Sequence, residues 1–327
     1  MGMVEREPQK ERVIHGKTAY VFPGQGSQTV GMGFELYKGS EAARRVFDEA
    51  DKVLGFNLSK LMFEGPKTEL DLTINSQPAI MVASIASASG LRENLGEKMP
   101  KSSFVTGHSL GLWTSLVETG VVDFKTGLKL VRERGRLMEE ASKERPGDMA
   151  AIIGIDEATL EDVCRQSGVY IASVNSNDQI IISGKKMDIT SAIDLATARG
   201  AKKAIRLSVR GAFHSPLMES AKQGLEKALS RIDFNSPRVP LIANSSGKLL
   251  IREDSIKAEL IKTLCGPVQW RDAVVNMLGL GVDSFLEFGS GKVLTGLIKR
   301  INPEAQTVNI DSPSSIQKLA SEWQLKK

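Results

Sequence analysis

The heptapeptide GHSLGLW, Gly107 to Trp113, frames one serine with two glycines where a short apolar run gives way to an amphipathic one. Strand, GxSxG and helix in that order describe a nucleophile elbow. Such a turn lifts the Ser109 hydroxyl beyond the sheet edge and needs glycines where flanking side chains would clash. The next backbone amide, that of Leu110, then lies at a helix N-terminus and faces the reacting carbonyl as an oxyanion donor. GxSxG alone is a weak pattern, and the strand and helix around it make Ser109 a candidate nucleophile.

A serine needs a base, and the chain has three histidines: His15, His108 and His214. His15 falls in a charged leading segment, and His108 adjoins the serine on a turn that directs its ring elsewhere. His214 remains, in GAFHSPLM, where Ser215 and Pro216 read as the N-cap and first-turn proline of the next helix. A lone histidine is ordinarily structural; elimination makes His214 the base if Ser109 is a nucleophile. No acidic third member stands out, and a backbone carbonyl could orient the imidazole instead.

Arg134 is the third unusual residue. Projected at 100° per residue, the segment Phe124 to Glu144 gathers Lys125, Lys129, Arg132, Glu133, Arg136, Glu139, Glu140 and Lys143 on one polar side. Arg134 instead shares the apolar side with Gly127, Leu130, Leu137, Met138 and Ala141. A guanidinium there is either half of a buried bridge to Asp or Glu or a fork for a ligand carboxylate, because an unpaired buried charge costs several kcal/mol. With a serine nucleophile, the second reading suggests an acyl donor carrying a free carboxylate at its far end.

These residues need a frame. The chain has 327 residues, 41% hydrophobic and 25% charged, which suits a large globular domain carrying a smaller one. Runs at Thr18 to Phe22, Phe104 to Gly107, Val239 to Ala243, Ser284 to Phe288 and Thr307 to Ile310 read as buried strands between helices, the mark of an α/β fold with a mainly parallel sheet. Between Ser142 and Gly211 the order becomes βαββαβ, as in a ferredoxin-like subdomain. The expected division is a flexible tail over 1–17, a large catalytic part over 18–141 and 212–327, and a small ferredoxin-like subdomain over 142–211. A ligand cleft is expected between the two parts.

The remaining features exclude more than they suggest. The leading segment is charged and no run reaches the roughly 20 apolar residues of a membrane span, so a cytoplasmic protein without a membrane anchor is expected. Cys164 and Cys265 have no metal-like spacing, and no metal site is expected. A net charge of +4 with interspersed signs weakly favours an anionic partner and does not argue for nucleic acid. GSGK, Gly289 to Lys292, lacks the first glycine of a phosphate loop, since Leu286 stands there. Asn175, Asn177 and Asn244 read as turn residues, with pocket polar groups as the other reading.

Taken in order, FPGQGSQTVGMG, GHSLG, RERGRLM, GAFHSPLM, GPVQW and FGSGKVLTGL resemble the malonyl-CoA:acyl carrier protein transacylases and the related acyltransferases of polyketide synthesis, from about Thr18 to Asp311. The resemblance implies an α/β-hydrolase-like large domain. It also implies transfer of malonyl from malonyl-CoA to the phosphopantetheine thiol of an acyl carrier protein through a malonyl-serine intermediate, for fatty-acid synthesis. Carried over residue by residue, Ser109 takes the malonyl group, His214 is its base, and Arg134 binds the carboxylate. Gln25 and Leu110 supply oxyanion amides, and a backbone carbonyl around Thr263 orients the histidine. Phe213, before the histidine, matches malonyl users.

The same likeness implies no cofactor, and the chain is expected to act as a monomer. It departs from many relatives at Leu112 and Trp113, where Glu and Tyr are common, and at Gly266, where Asn is common. These departures bear on donor or carrier preference, and Leu112 and Trp113, with Phe213 and Asn175, are candidate pocket residues. A trans-acting polyketide acyltransferase is an alternative. A carrier-protein hydrolase of the same fold is another, but it has no need of Arg134.

Overall fold

The computed structural model describes residues 16–324; His15 and most of the expected tail lie outside them. Lys17 already opens the first strand, so the chain enters the fold slightly earlier than the composition suggested. The strands are β1 Lys17–Phe22, β2 Ser102–Gly107, β3 Gly147–Ile153, β4 Tyr170–Val174, β5 Gln179–Lys185 and β6 Lys203–Arg206. They continue with β7 Leu241–Ile242, β8 Leu249–Leu250, β9 Val268–Gln269, β10 Val282–Phe288 and β11 Gln306–Ile310.

One sheet runs β11-β10-β1-β2-β7-β8, parallel throughout except for the β7–β8 edge. Its strands are apolar on both faces because helices cover both. Alternation along β1 shows this directly: Tyr20 and Phe22 enter one core with Leu286 and Phe288, while Ala19 and Val21 enter a second with Phe285 and Trp270. Beneath the first face lies the long helix Thr73–Leu95, buried over most of its circumference and therefore without an amphipathic stripe. Among the described residues, no helix is long and apolar enough to cross a membrane.

The second sheet runs β6-β3-β5-β4-β9. Its first four strands are antiparallel and come from the βαββαβ segment read in the sequence. One face packs Ile152, Val174, Ile180 and Ile182 against Leu160, Val163, Ile189 and Ala192 of two helices. Met149, Ala151, Ala172 and Ile181 on the other face join the main core. The fifth strand was not anticipated: β9, only two residues long, returns from the C-terminal half and pairs in parallel with β4, Ser173 against Val268. Division by chain segment assigns Val268 and Gln269 to the large part, whereas their hydrogen bonds complete the small sheet.

Candidate active site

β2 ends at Gly107, and the helix Leu110–Glu118 begins two residues beyond His108. Ser109 stands in the turn with φ 52° and ψ −103°, a left-handed backbone that a side-chain-bearing residue adopts only under constraint. The flanking glycines are demanded by contact. A Cβ on Gly111 would lie 1.9 Å from the Phe22 carbonyl oxygen, and one on Gly107 would lie 2.1 Å from the Gly111 backbone.

Ser109 Oγ lies 2.8 Å from His214 Nε2. His214 is 7% exposed and itself has a positive φ of 58°. Its Nδ1 is 2.6 Å from the Thr263 carbonyl oxygen, which can only accept, so the proton resides on Nδ1 and Nε2 is free to accept from Ser109. The orienting group is thus main-chain, and no carboxylate is required. Burial, and secondarily the positive charge of Arg134, pull the His214 pKa down to about 3, which keeps the imidazole neutral.

Arg134 projects from the helix Phe124–Glu144 into the same point. Its Nη2 donates to Ser109 Oγ at 3.1 Å and its Nη1 to Gln77 Oε1 at 2.7 Å. It is 4% exposed, Nε has no acceptor, and no carboxylate among the described residues pairs with it. The buried-bridge reading of this arginine therefore falls. Burial lowers its pKa to about 10, still far enough above neutrality for the guanidinium to stay charged. The Trp113 ring centroid lies 5.9 Å from its Cζ, so the buried indole packs beside the guanidinium. Leu112 is buried in the main core, as is Phe213 beside the histidine.

The loop after β1 closes the other side. A Cβ on Gly24 would lie 2.5 Å from the His108 carbonyl oxygen, so this loop abuts the elbow. Gln25 Nε2 donates to Thr73 Oγ1 at 3.3 Å, and Gln28 accepts from the Gly26 amide while donating to Asp71. The backbone amides of Gln25 and Leu110 donate to no acceptor among the described residues. Nucleophile, neutral base and a guanidinium without a carboxylate partner converge, with two free amides in the adjoining turns, an arrangement suited to acyl transfer through a covalent ester.

Residues 19–310 match the family described as acyl transferase domain. This chain belongs to the acyl transferase family. Over 306 residues it is 42% identical to the malonyl CoA-acyl carrier protein transacylase of Bacillus subtilis, covering 92% of this chain and 95% of that protein. The solved malonyl CoA-acyl carrier protein transacylase of Coxiella burnetii aligns with a TM-score of 0.91 at 35% identity, covering 95% and 99% of the two chains. A malonyl-transacylase solved in complex with its type II PKS acyl-carrier protein aligns at 0.88 with 36% identity, covering 92% and 98%.

Several residues of this candidate site lie outside the motifs of the sequence. Gln77, fully buried, receives Arg134 and donates to Met138 Sδ. Asn244 is indeed in a turn, yet its side chain accepts from the Ser109 amide and donates to the Gly107 carbonyl. Asn175 accepts from the ring of His108, which also meets Ser173 and thereby ties the elbow to β4. Asn177 is an exposed bend residue. Gly266 has φ −131°, extended backbone open to any residue. At the GSGK loop, the carboxylate of Glu287 accepts from the Leu294 and Thr295 amides, so that helix start already holds an anion.

Proposed function

We propose that the protein transfers malonyl from malonyl-CoA to the phosphopantetheine thiol of an acyl carrier protein, supplying extender units for fatty-acid synthesis. The observation that carries the reading is Arg134, buried, charged, without a carboxylate partner, and 3.1 Å from the nucleophilic oxygen. His214 Nε2 takes the Ser109 proton as Oγ attacks the thioester carbon. The Gln25 and Leu110 amides hold the oxyanion, and the Arg134 fork holds the malonyl carboxylate. Collapse expels the CoA thiolate, which takes the proton from His214. The carrier thiol then gives its proton to His214, attacks the ester, and returns Ser109 to its hydroxyl form.

Ser109, His214, Arg134 and the two amides perform every step, so the reading needs no cofactor. All come from one chain, which supports action as a monomer. We also read the large part as α/β-hydrolase-like, supported by the strand, elbow and helix order. The small sheet we read as ferredoxin-like, supported by its β6-β3-β5-β4 order. Intact-protein mass spectrometry with malonyl-CoA tests the function. A malonyl increment on wild type, absent in Ser109→Ala and discharged by phosphopantetheinylated carrier protein, is expected; discharge to water at the same rate without carrier overturns transfer.

A further inference from the structure

The strained backbone of Ser109 has an identifiable restraint. Asn244, 1% exposed, uses both ends of its amide on the elbow: Oδ1 accepts the Ser109 N–H at 2.8 Å, and Nδ2 donates to the Gly107 carbonyl at 2.8 Å. One planar group thus fixes the peptide units on both sides of His108. Asn244 is itself held, since its carbonyl accepts the Gln269 N–H at 2.6 Å.

The next residue reaches toward the base. Ser245 donates from its amide and its hydroxyl to the two carboxylate oxygens of Glu259, at 2.7 and 2.6 Å. Glu259 is buried in the helix Glu253–Cys265, and its own carbonyl accepts the Thr263 hydroxyl at 2.9 Å. Thr263 is the residue whose carbonyl orients His214. Hydrogen bonds joined by short covalent links, the Asn244–Ser245 peptide and the Glu259 and Thr263 residues themselves, therefore lead from the Ser109 backbone to the His214 ring.

We propose that Asn244 is the positioning residue of the elbow, and that through Ser245 and Glu259 it holds Ser109 Oγ and His214 Nε2 in register for proton transfer. The inference rests on the reading of Ser109 as nucleophile. Asn244 touches no reacting atom; it acts by holding the turn that presents one. A serine displaced by about 1 Å loses on the order of 100-fold in rate.

Asn244→Asp makes a discriminating variant. Ionised, its carboxylate accepts from Ser109 N–H but repels the Gly107 carbonyl; protonated, it restores both bonds in nearly the same shape. The charged and titratable groups around it are His108, His214 and Arg134 at the elbow and Glu259 behind Ser245. The readout is the rate at which a fluorophosphonate labels Ser109, where an O–P bond forms, fluoride leaves and the proton passes to His214. Wild type is expected to label at a nearly constant rate from neutral to mildly acidic pH. Asn244→Asp is expected to label about 100-fold slower at neutral pH and to gain on wild type as pH falls, and Asn244→Ala to stay slow throughout.

Misfolding cannot imitate a gain on acidification, and thermal melting of each variant is recorded alongside. Wild-type labelling rates in both variants, or a deficit in Asn244→Asp that is the same at every pH, overturn the inference. Malonylation of wild type is followed separately. Its failure with the labelling pattern intact would count against the malonyl reading and leave the clamp standing.

Discussion

Ser109 and His214 share a 2.8 Å hydrogen bond, and they are also the two non-glycine residues with positive φ among the described residues. Strain is concentrated on the pair whose mutual approach the chemistry needs, held there by Asn244 on one side and the Thr263 carbonyl on the other.

The charge of Arg134 is one cause of the low His214 pKa, behind burial. A bound carboxylate cancels that charge, so the histidine becomes more basic when the substrate is seated. The acid limb of single-turnover acylation at saturating malonyl-CoA is therefore expected at higher pH than the limb at low substrate concentration. Coincident limbs would show that Arg134 does not meet the carboxylate.

The same histidine bears on stability. Unfolded, it protonates near 6.5; folded, it resists until about 3. The unfolded state then binds more protons, so folding stability falls as pH drops through that window. Urea titrations are expected to show wild type losing stability relative to His214→Asn as pH falls below about 6.5, and a difference that does not change with pH would rule out the low pKa.

Arg134→Met keeps much of the side-chain volume and removes an uncompensated buried charge. Thermal unfolding is expected to show a gain of about 1–2 kcal/mol, while kcat/KM for malonyl-CoA drops roughly 100-fold or more. Lower stability in this variant would mean the charge is compensated within the free protein.

Trp113→Leu removes the indole beside Arg134. A cation–π contact at the outer edge of its range, 5.9 Å, is worth about 1 kcal/mol, so roughly a fivefold rise in KM for malonyl-CoA is expected, with kcat less affected. Steady-state kinetics with a saturating carrier would reveal it.

Two glycines of neighbouring motifs should respond differently to alanine. Gly111→Ala meets the Phe22 carbonyl oxygen at 1.9 Å and is expected to cost more than about 3 kcal/mol, with loss of Ser109 labelling. Gly26→Ala has φ 102° but nothing within 4 Å, so strain alone, of about 1–3 kcal/mol, is expected in a denaturant titration.

The residues proposed to carry the chemistry were legible because each broke a local pattern: Ser109 between glycines, Arg134 out of helical phase, His214 the remaining base. Their supports were not. Gln77 and Asn244 are neutral amides whose partners lie 57 and 135 residues away, and no spacing rule connects such pairs. The Thr263 carbonyl is an acceptor any residue could offer, so only the family resemblance pointed to it. The strands were found by apolar runs, but β9, two residues long, is too short to have a period.

That short strand has a consequence for how the chain is made. Because β9 emerges long after β4, the lateral rim of the small sheet stays unpaired until nearly the whole chain has been synthesised. The nascent βαββαβ segment must wait with its hydrogen-bonding valences open. Truncations ending before Val268 should therefore be prone to self-association, and residues 142–211 are a poor choice for transplantation as an independent module.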